Sequence, residues 1–213
     1  INSYELSHLK YWSKANLNTT VYYRQINNTI RRIVSVTDNV TKVMSQNISN
    51  GESYGLELIG STQLFAWWKI NASGNYFRSL LFSDSYGNND VTSWTAKLSS
   101  NFTFRKGFDI QLMGNYRGPM GTPQGEIKEM YFVDLGAKKD VLKNRGTITL
   151  RISDIFDTQK FVAESKGDNF EINSEFKNET RNIFLGFTYR LNNYKVKERK
   201  KSQGTGGGEE IDY

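Results

Sequence analysis

The sequence predicts an all-β fold, a segment of about nine antiparallel transmembrane strands belonging to a larger β-barrel. Three observations predict it. Apolar residues recur with period two nearly everywhere, short and long connections alternate along the chain, and large aromatic rings gather at the strand ends.

Taken in order, strands are expected over 3–12 and 15–27, joined by a short turn at Ser13-Lys14. A long connection over 28–41, one of several that together are rich in Gly, Asn, Asp and Ser, leads to a strand over 42–61. The short link 62–65 passes to 66–82, and a polar loop over 83–90 leads to 91–104. Arg105-Lys106 turns the chain into 107–118, where Phe108, Ile110, Leu112, Gly114 and Tyr116 oppose Asp109, Gln111, Met113 and Asn115. After a loop at 118–125 comes 126–141, then a short turn at 143–145 and the strand 146–156, with Ile148, Leu150 and Ile152 opposed to Thr147, Thr149, Arg151 and Ser153. The longest connection, 157–179, precedes a last strand over 180–191, in which Ile183, Leu185, Phe187, Tyr189 and Leu191 oppose Asn182, Gly186, Thr188 and Arg190. Several of these strands exceed the usual soluble length of about five or six residues, as a tilted path across a bilayer requires. Short turns at one end and long loops at the other are the outer-membrane pattern, the short turns being periplasmic. Residues 1–191 are therefore expected in the barrel and 192–213 in a flexible periplasmic tail.

Composition closes off other classes. No stretch approaches the roughly 18 apolar residues of a transmembrane helix, yet a barrel strand passes that test unseen because half of its side chains face away from lipid. The absence of cysteine excludes a disulfide scaffold and thiol chemistry. The net charge is +6, but Lys and Arg are scattered, with a dense cluster only from Lys195 to Lys201, so no nucleic-acid partner is expected. That cluster reads equally as a headgroup contact or as a solvated tail.

The rings fall into two sets. Trp12, Phe65, Trp67, Trp68, Phe102, Phe104 and Phe108 lie beside the short turns, and Tyr23, Tyr76, Phe77, Trp94, Tyr116 and Tyr131 toward the long loops. Two such girdles mark the two water interfaces of a membrane barrel, and outer-membrane lipid is the partner they imply. The opposite parity would line the lumen with Asn16, Asn18, Arg24, Glu57, Lys69, Asn71, Asn75, Lys97, Asn101, Asp109, Gln111, Arg117, Lys128, Asp134, Lys138, Arg151 and Arg190. Any one of these has a plain role as a solvated wall, and their mixed signs specify no solute.

No catalytic, metal or cofactor site is expected. His8 is the single histidine, too little for an imidazole metal site. Asp84, Asn88, Asn89 and Asp90 around Gly87 lack the closing Glu of a helix-loop-helix calcium site and read as a polar hairpin loop. Asn-x-Ser/Thr triplets at Asn27, Asn39, Asn47, Asn71, Asn101 and Asn178 follow from polar faces built of Asn, Ser and Thr. Gly204 to Gly208 has no following Lys-Ser/Thr and forms no phosphate loop.

Three stretches carry a resemblance. They are the strand from Ala15 to Arg24 with the later Gly55-Leu56-Glu57-Leu58, the motif Ser153-Asp154-Ile155-Phe156-Asp157, and the final Leu185-Gly186-Phe187-Thr188-Tyr189-Arg190-Leu191 with its basic and then acidic tail. In order and spacing they resemble the C-terminal barrel half of TonB-dependent receptors and the outer-membrane β-barrel family allied to them. The last strand ends well before Tyr213, a departure from outer-membrane proteins that close on a terminal aromatic residue. The resemblance implies a barrel of about 22 strands around a plug, the remaining N-terminal strands and plug lying outside this sequence. It also implies energised uptake through the TonB complex of a metal chelate, glycan or peptide, with surface lipoproteins or envelope subunits as possible further partners. An odd count of nine agrees with missing strands, since single-chain bacterial barrels have an even number. The competing readings are a non-transporting structural or binding barrel, alone or as a subunit of an envelope complex, and an outer-membrane enzyme acting through its loops, for which the sequence shows no site.

Overall fold

Alternating apolar and polar residues give a chain that can satisfy its backbone only by pairing with neighbours, and most strands here pair with the next one along. A computed structural model describes residues 1–83 and 85–191, apart from the side chains of Ile48 and Ser49. The expected tail at 192–213, with its basic cluster and glycine run, and Asp84 of the polar loop lie outside the described residues.

The strands are β1 (Asn2–Tyr11), β2 (Ala15–Thr37), β3 (Val40–Phe65), β4 (Trp68–Phe82), β5 (Asn89–Phe104), β6 (Phe108–Arg117), β7 (Met120–Thr122), β8 (Gly125–Ile127), β9 (Met130–Val141), β10 (Gly146–Ile152), β11 (Phe161–Gly167), β12 (Phe170–Phe176) and β13 (Ile183–Tyr189). Nine of them form one antiparallel sheet in the order β1-β2-β3-β4-β5-β6-β9-β10-β13. The sheet is open, with β1 and β13 at its edges. These are the nine expected strands, with altered ends.

The alterations have local causes. The expected loop at 28–41 is instead a continuation of both strands, which run 23 and 26 residues to a tight turn. Asp38 and Asn39 make that turn with φ of 50° and 61°, a left-handed geometry that Asp and Asn tolerate best after glycine. A register shift near Asn28, itself at φ 57°, takes up the irregularity between the lower and upper parts of the hairpin. The strand expected over 126–141 divides, since β8 joins a different sheet and only β9 enters the large one. The strand expected to reach 156 stops at Ile152, where Asp154 takes φ 45° and turns the chain aside.

The loops at 118–125 and 157–179 supply the second sheet, four strands in the order β12-β11-β8-β7. It lies against the β2–β3 extension. The Gln124 amide acts as a strand edge, accepting from Val34 N–H and donating to Val34 C=O, both at 2.8 Å. Asn89 Nδ2 ties the other side by donating to Thr122 and Gly125 carbonyls at 2.8 and 2.7 Å. Gly125 must be glycine, because φ is 154° and a Cβ there would come within 2.3 Å of Glu164 O.

No second layer covers the large sheet, and the hydrophobic residues buried among those described are Tyr22, Ile33 and Leu81 alone. Leu98, Leu112, Ile148 and Leu185 are all exposed. In water such a sheet would leave its main apolar surface uncovered; in a bilayer that surface is already in its solvent.

Candidate functional site

Residues paired directly across antiparallel strands project to the same face, so the register sorts every side chain of the large sheet. One row runs Asn16, Ser61, Asn71, Ser99, Met113, Asp134. Others run Thr20, Glu57, Asn75, Thr95, Arg117 and Lys69, Asn101, Gln111, Gly136, Arg151. Asn18 falls in the row of Ser73 and Lys97, Arg24 opposite Ser53, and Asp109 opposite Lys138. Arg190 follows β13 by one residue, its N–H bonded to Arg145 O at 2.7 Å. All these residues share one face. Lys128 does not, because it stands between β8 and β9, outside the large sheet, and binds Glu126 and, at 3.0 Å, Glu164. Those two carboxylates raise its pKa.

The polar face is cross-linked by hydrogen bonds. Tyr22 Oη exchanges bonds with the Asn75 amide at 3.0–3.1 Å and lies under the Arg24 guanidinium, 4.7 Å from its ring centre. Gly55 makes room for that phenol, since a Cβ there would approach Tyr22 Oη to 2.9 Å and Tyr76 O to 2.5 Å. Gln111 Nε2 donates to Ser99 Oγ and Asn101 Oδ1, and Asn16 Nδ2 donates to Ser61 Oγ at 2.8 Å. Gly136 leaves a depression of about 450 Å³ bordered by Asn101, Asp109, Gln111, Lys138 and Arg151.

Charge on this face is partly compensated. Arg24 pairs with Glu5 at 2.7 Å, and Lys138 lies 3.8 and 3.9 Å from Asp109 and Asp140. Lys69, Lys97, Arg117, Arg151 and Arg190 have no carboxylate within 4.0 Å among the described residues, and Glu57 has no cation. Arg117 is the extreme case, with Nε and Nη2 both buried and unbonded. The uncompensated charge is therefore positive.

The opposite face is apolar between two belts of rings. At the short-turn end Phe65, Trp67, Trp68, Phe102, Phe104 and Phe108 stack in a continuous series with centroids 5.5–6.4 Å apart. Trp12 has Lys10 Nζ over its ring at 5.2 Å. Toward the long loops Tyr23, Tyr76, Trp94, Tyr116 and Tyr131 share the face, with Trp94 and Tyr116 stacked at 4.0 Å and Tyr116 opposite Tyr131. Phe77 is a correction: paired with Gly55 and Ser93, it projects from the polar face instead. From Trp68 to Tyr76 the strand climbs roughly 26 Å at about 3.3 Å per residue, a span suited to a tilted crossing of an outer-membrane apolar band.

Residues 1–189 match the outer membrane protein beta-barrel family. The chain belongs to that family. No curated protein matches it. Among solved structures it is similar to the ferric yersiniabactin uptake receptor FyuA of Yersinia pestis, with a TM-score of 0.63 and 17% identity over 87% of this chain. The chain spans 29% of that receptor's length, and at this identity the likeness is one of fold. An outer-membrane β-barrel family places the chain in the bacterial outer membrane.

The loop end is tied by a buried carboxylate. The carboxylate of Asp154, fully buried, accepts from Thr180 Oγ1 at 2.7 Å and from the N–H groups of Thr158 and Gln159 at 2.9 Å. Its own N–H donates to Asp134 Oδ1 at 2.9 Å. Burial works to raise the Asp154 pKa, but these donors together outweigh it and hold the carboxyl below its ordinary value. The motif was visible in the sequence, although its role as the knot joining β10, β13 and the long loop was not. Parity alone would have put Tyr22 on the polar face; nothing in the pattern pointed to Gln124. In the described part of the polar loop the Asp90 carboxylate pairs with Arg78, and the Asn89 amide nitrogen donates to the carbonyls of Thr122 and Gly125.

Proposed function

We propose that this chain forms one flank of the barrel of a TonB-dependent outer-membrane transporter, its polar face lining the passage and its long loops facing the exterior. The observation that carries the reading is the division of a single sheet into an apolar face bounded by two ring belts and a hydrogen-bonded polar face. A barrel of this kind needs its apolar side in lipid and its polar side around an aqueous path. The fold shared with an uptake receptor supports the same assignment.

On this reading a solute such as a metal chelate, glycan or peptide is captured at the loop sheet and moves along the polar face beside a plug supplied by another part of the protein. The TonB complex acts through that other part. Lys69, Lys97, Arg117 and Arg151 would favour solutes or plug segments bearing negative groups, and the bonded Asn, Gln and Ser rows hold the wall in shape around them. The role is binding and passage rather than catalysis, and the short turns with the tail face the periplasm.

The test is uptake in cells carrying or lacking the gene, with ferric chelates, oligosaccharides and peptides as separate sole sources and a protonophore as the energy control. Loss of energy-dependent uptake of one class, partly reproduced by Arg117→Gln with Arg151→Gln, is expected. Unchanged uptake of all three would sink the transporter and leave a binding or structural barrel.

A further inference from the structure

The turns at the short-turn end carry charge of one sign. These turns, Ser13-Lys14, Ala66-Trp67, Arg105-Lys106-Gly107 and Leu142-Lys143-Asn144-Arg145, contain five cations and no acid. They stand at the edge of the lower ring belt. Lys139 Nζ lies 5.9 Å from the Phe108 ring and donates to Lys106 O at 2.8 Å, so an aliphatic stem runs along the apolar face and its charge ends at the rim.

At one place this rim forms a cleft. Leu142, Lys143, Asn144, Arg145, Tyr189 and Arg190 border an open hollow of about 780 Å³ between the β9–β10 turn and the end of β13. Lys143, Arg145 and Arg190 have no carboxylate within 4.0 Å among the described residues. Leu142 is 58% exposed, and Tyr189 belongs to the apolar face, where its neighbours Phe187 and Leu185 are exposed as well. The turn holding the cations is strained: Leu142, Lys143 and Asn144 take φ of 53°, 56° and 67° in succession, a left-handed run that Leu and Lys avoid. Strain of this kind collects where a ligand is clamped.

We propose that this cleft binds the phosphate headgroup of an anionic phospholipid from the leaflet that meets the short turns. The two uncompensated cations of the turn, Lys143 and Arg145, meet the phosphate, while Leu142 and Tyr189 continue the membrane-facing surface under the glycerol and first acyl carbons. That continuity favours a lipid over a free anion. The site does not depend on which solute the barrel carries, or on whether it carries one.

Native mass spectrometry of the intact outer-membrane polypeptide carrying this chain, stripped into neutral detergent and titrated with phosphatidylglycerol or phosphatidylcholine, tests it. Phosphatidylglycerol should bind in preference, and the preference should fall roughly fivefold for each basic side chain removed in Lys143→Gln with Arg145→Gln. Arg145→Lys, which keeps the charge, should retain most of it. Equal binding of the two lipids by the native protein, or an unchanged preference in the double variant, overturns the proposal. Displacement of bound phosphatidylglycerol by millimolar inorganic phosphate also overturns it, by showing an anion site without lipid character. If the double variant does not fold, Lys143→Gln alone is read by the same criteria.

Discussion

The two sheets of this molecule are held together by different physics. The large sheet buries almost nothing: its ladder satisfies the backbone, and its outer side chains reach for a solvent the chain does not provide. The loop sheet is small and cannot rely on lipid, so side-chain amides and one carboxylate are spent on backbone groups, as Gln124 does at Val34 and Asp154 at Thr158 and Gln159. A membrane sheet tolerates nearly any polar residue on one face and almost none on the other. A loop sheet tolerates most surface changes but few at its clamps.

The sharpest break of this comparison is a charge in the middle of the apolar face. Leu98, between Trp94 and Phe102 on β5, is 50% exposed, and Leu98→Arg should cost about 2–4 kcal/mol in lipid vesicles. Ser73→Arg, on the polar face of the adjacent strand, should change stability by less than about 1 kcal/mol. Urea unfolding in vesicles reads both, and equal costs would remove the distinction between the faces.

Next in size is the knot. Asp154→Ala strips a buried cluster of its acceptor and should cost about 2–3 kcal/mol, confined to the loops. Hydrogen exchange should quicken over 153–160 and 180–183 while β4 to β6 stay protected. Slowing or quickening throughout the large sheet would show that the knot closes the membrane part too. A smaller step follows at Gln124→Ala, expected to cost about 1–2 kcal/mol by leaving the Val34 N–H and C=O without partners, with faster exchange at the Val34 amide as its signature.

Legibility in the sequence divides along the same line. Strand parity is a local property, fixed by a period of two, and it placed Asn75, Lys97, Gln111 and Arg151 on one face without knowledge of neighbours. Phe77 was misplaced because nearness to a strand end was weighed above parity. The loop sheet rests on contacts across long separations, Gln124 to Val34 and Asn169 to Val36, which no period records. Lys128 was assigned to the lumen wall for that reason: its number had the right parity for a strand that the chain enters only at Met130.

Titration of the knot offers a gentler probe than its removal. The folded Asp154 carboxyl sits below its ordinary 3.8, so its stabilising effect is complete above that value and is lost as pH falls through the lower, folded pKa. Pepsin cleavage near Phe156 and Phe161 should therefore rise as the pH drops below the ordinary carboxylate range. In Asp154→Asn, cleavage should be fast throughout and lack that step. A step that survives the substitution would assign the transition to another group.

The smallest effect expected is at the surface of the loop sheet. Lys160 and Glu175 are 3.1 Å apart and about half exposed, 49% and 55%, so water screens the pair and side-chain entropy opposes it. Glu175→Gln should leave both the exchange of β11 and β12 and the overall stability unchanged within error, at low and at high salt alike. A salt-dependent loosening of β12 in the native protein, absent from the variant, would mean that surface charge holds the hairpin. The sheet would then have to be described as electrostatically assembled on top of its buried clamps, and the contrast with the membrane sheet would rest on charge as much as on hydrogen bonding.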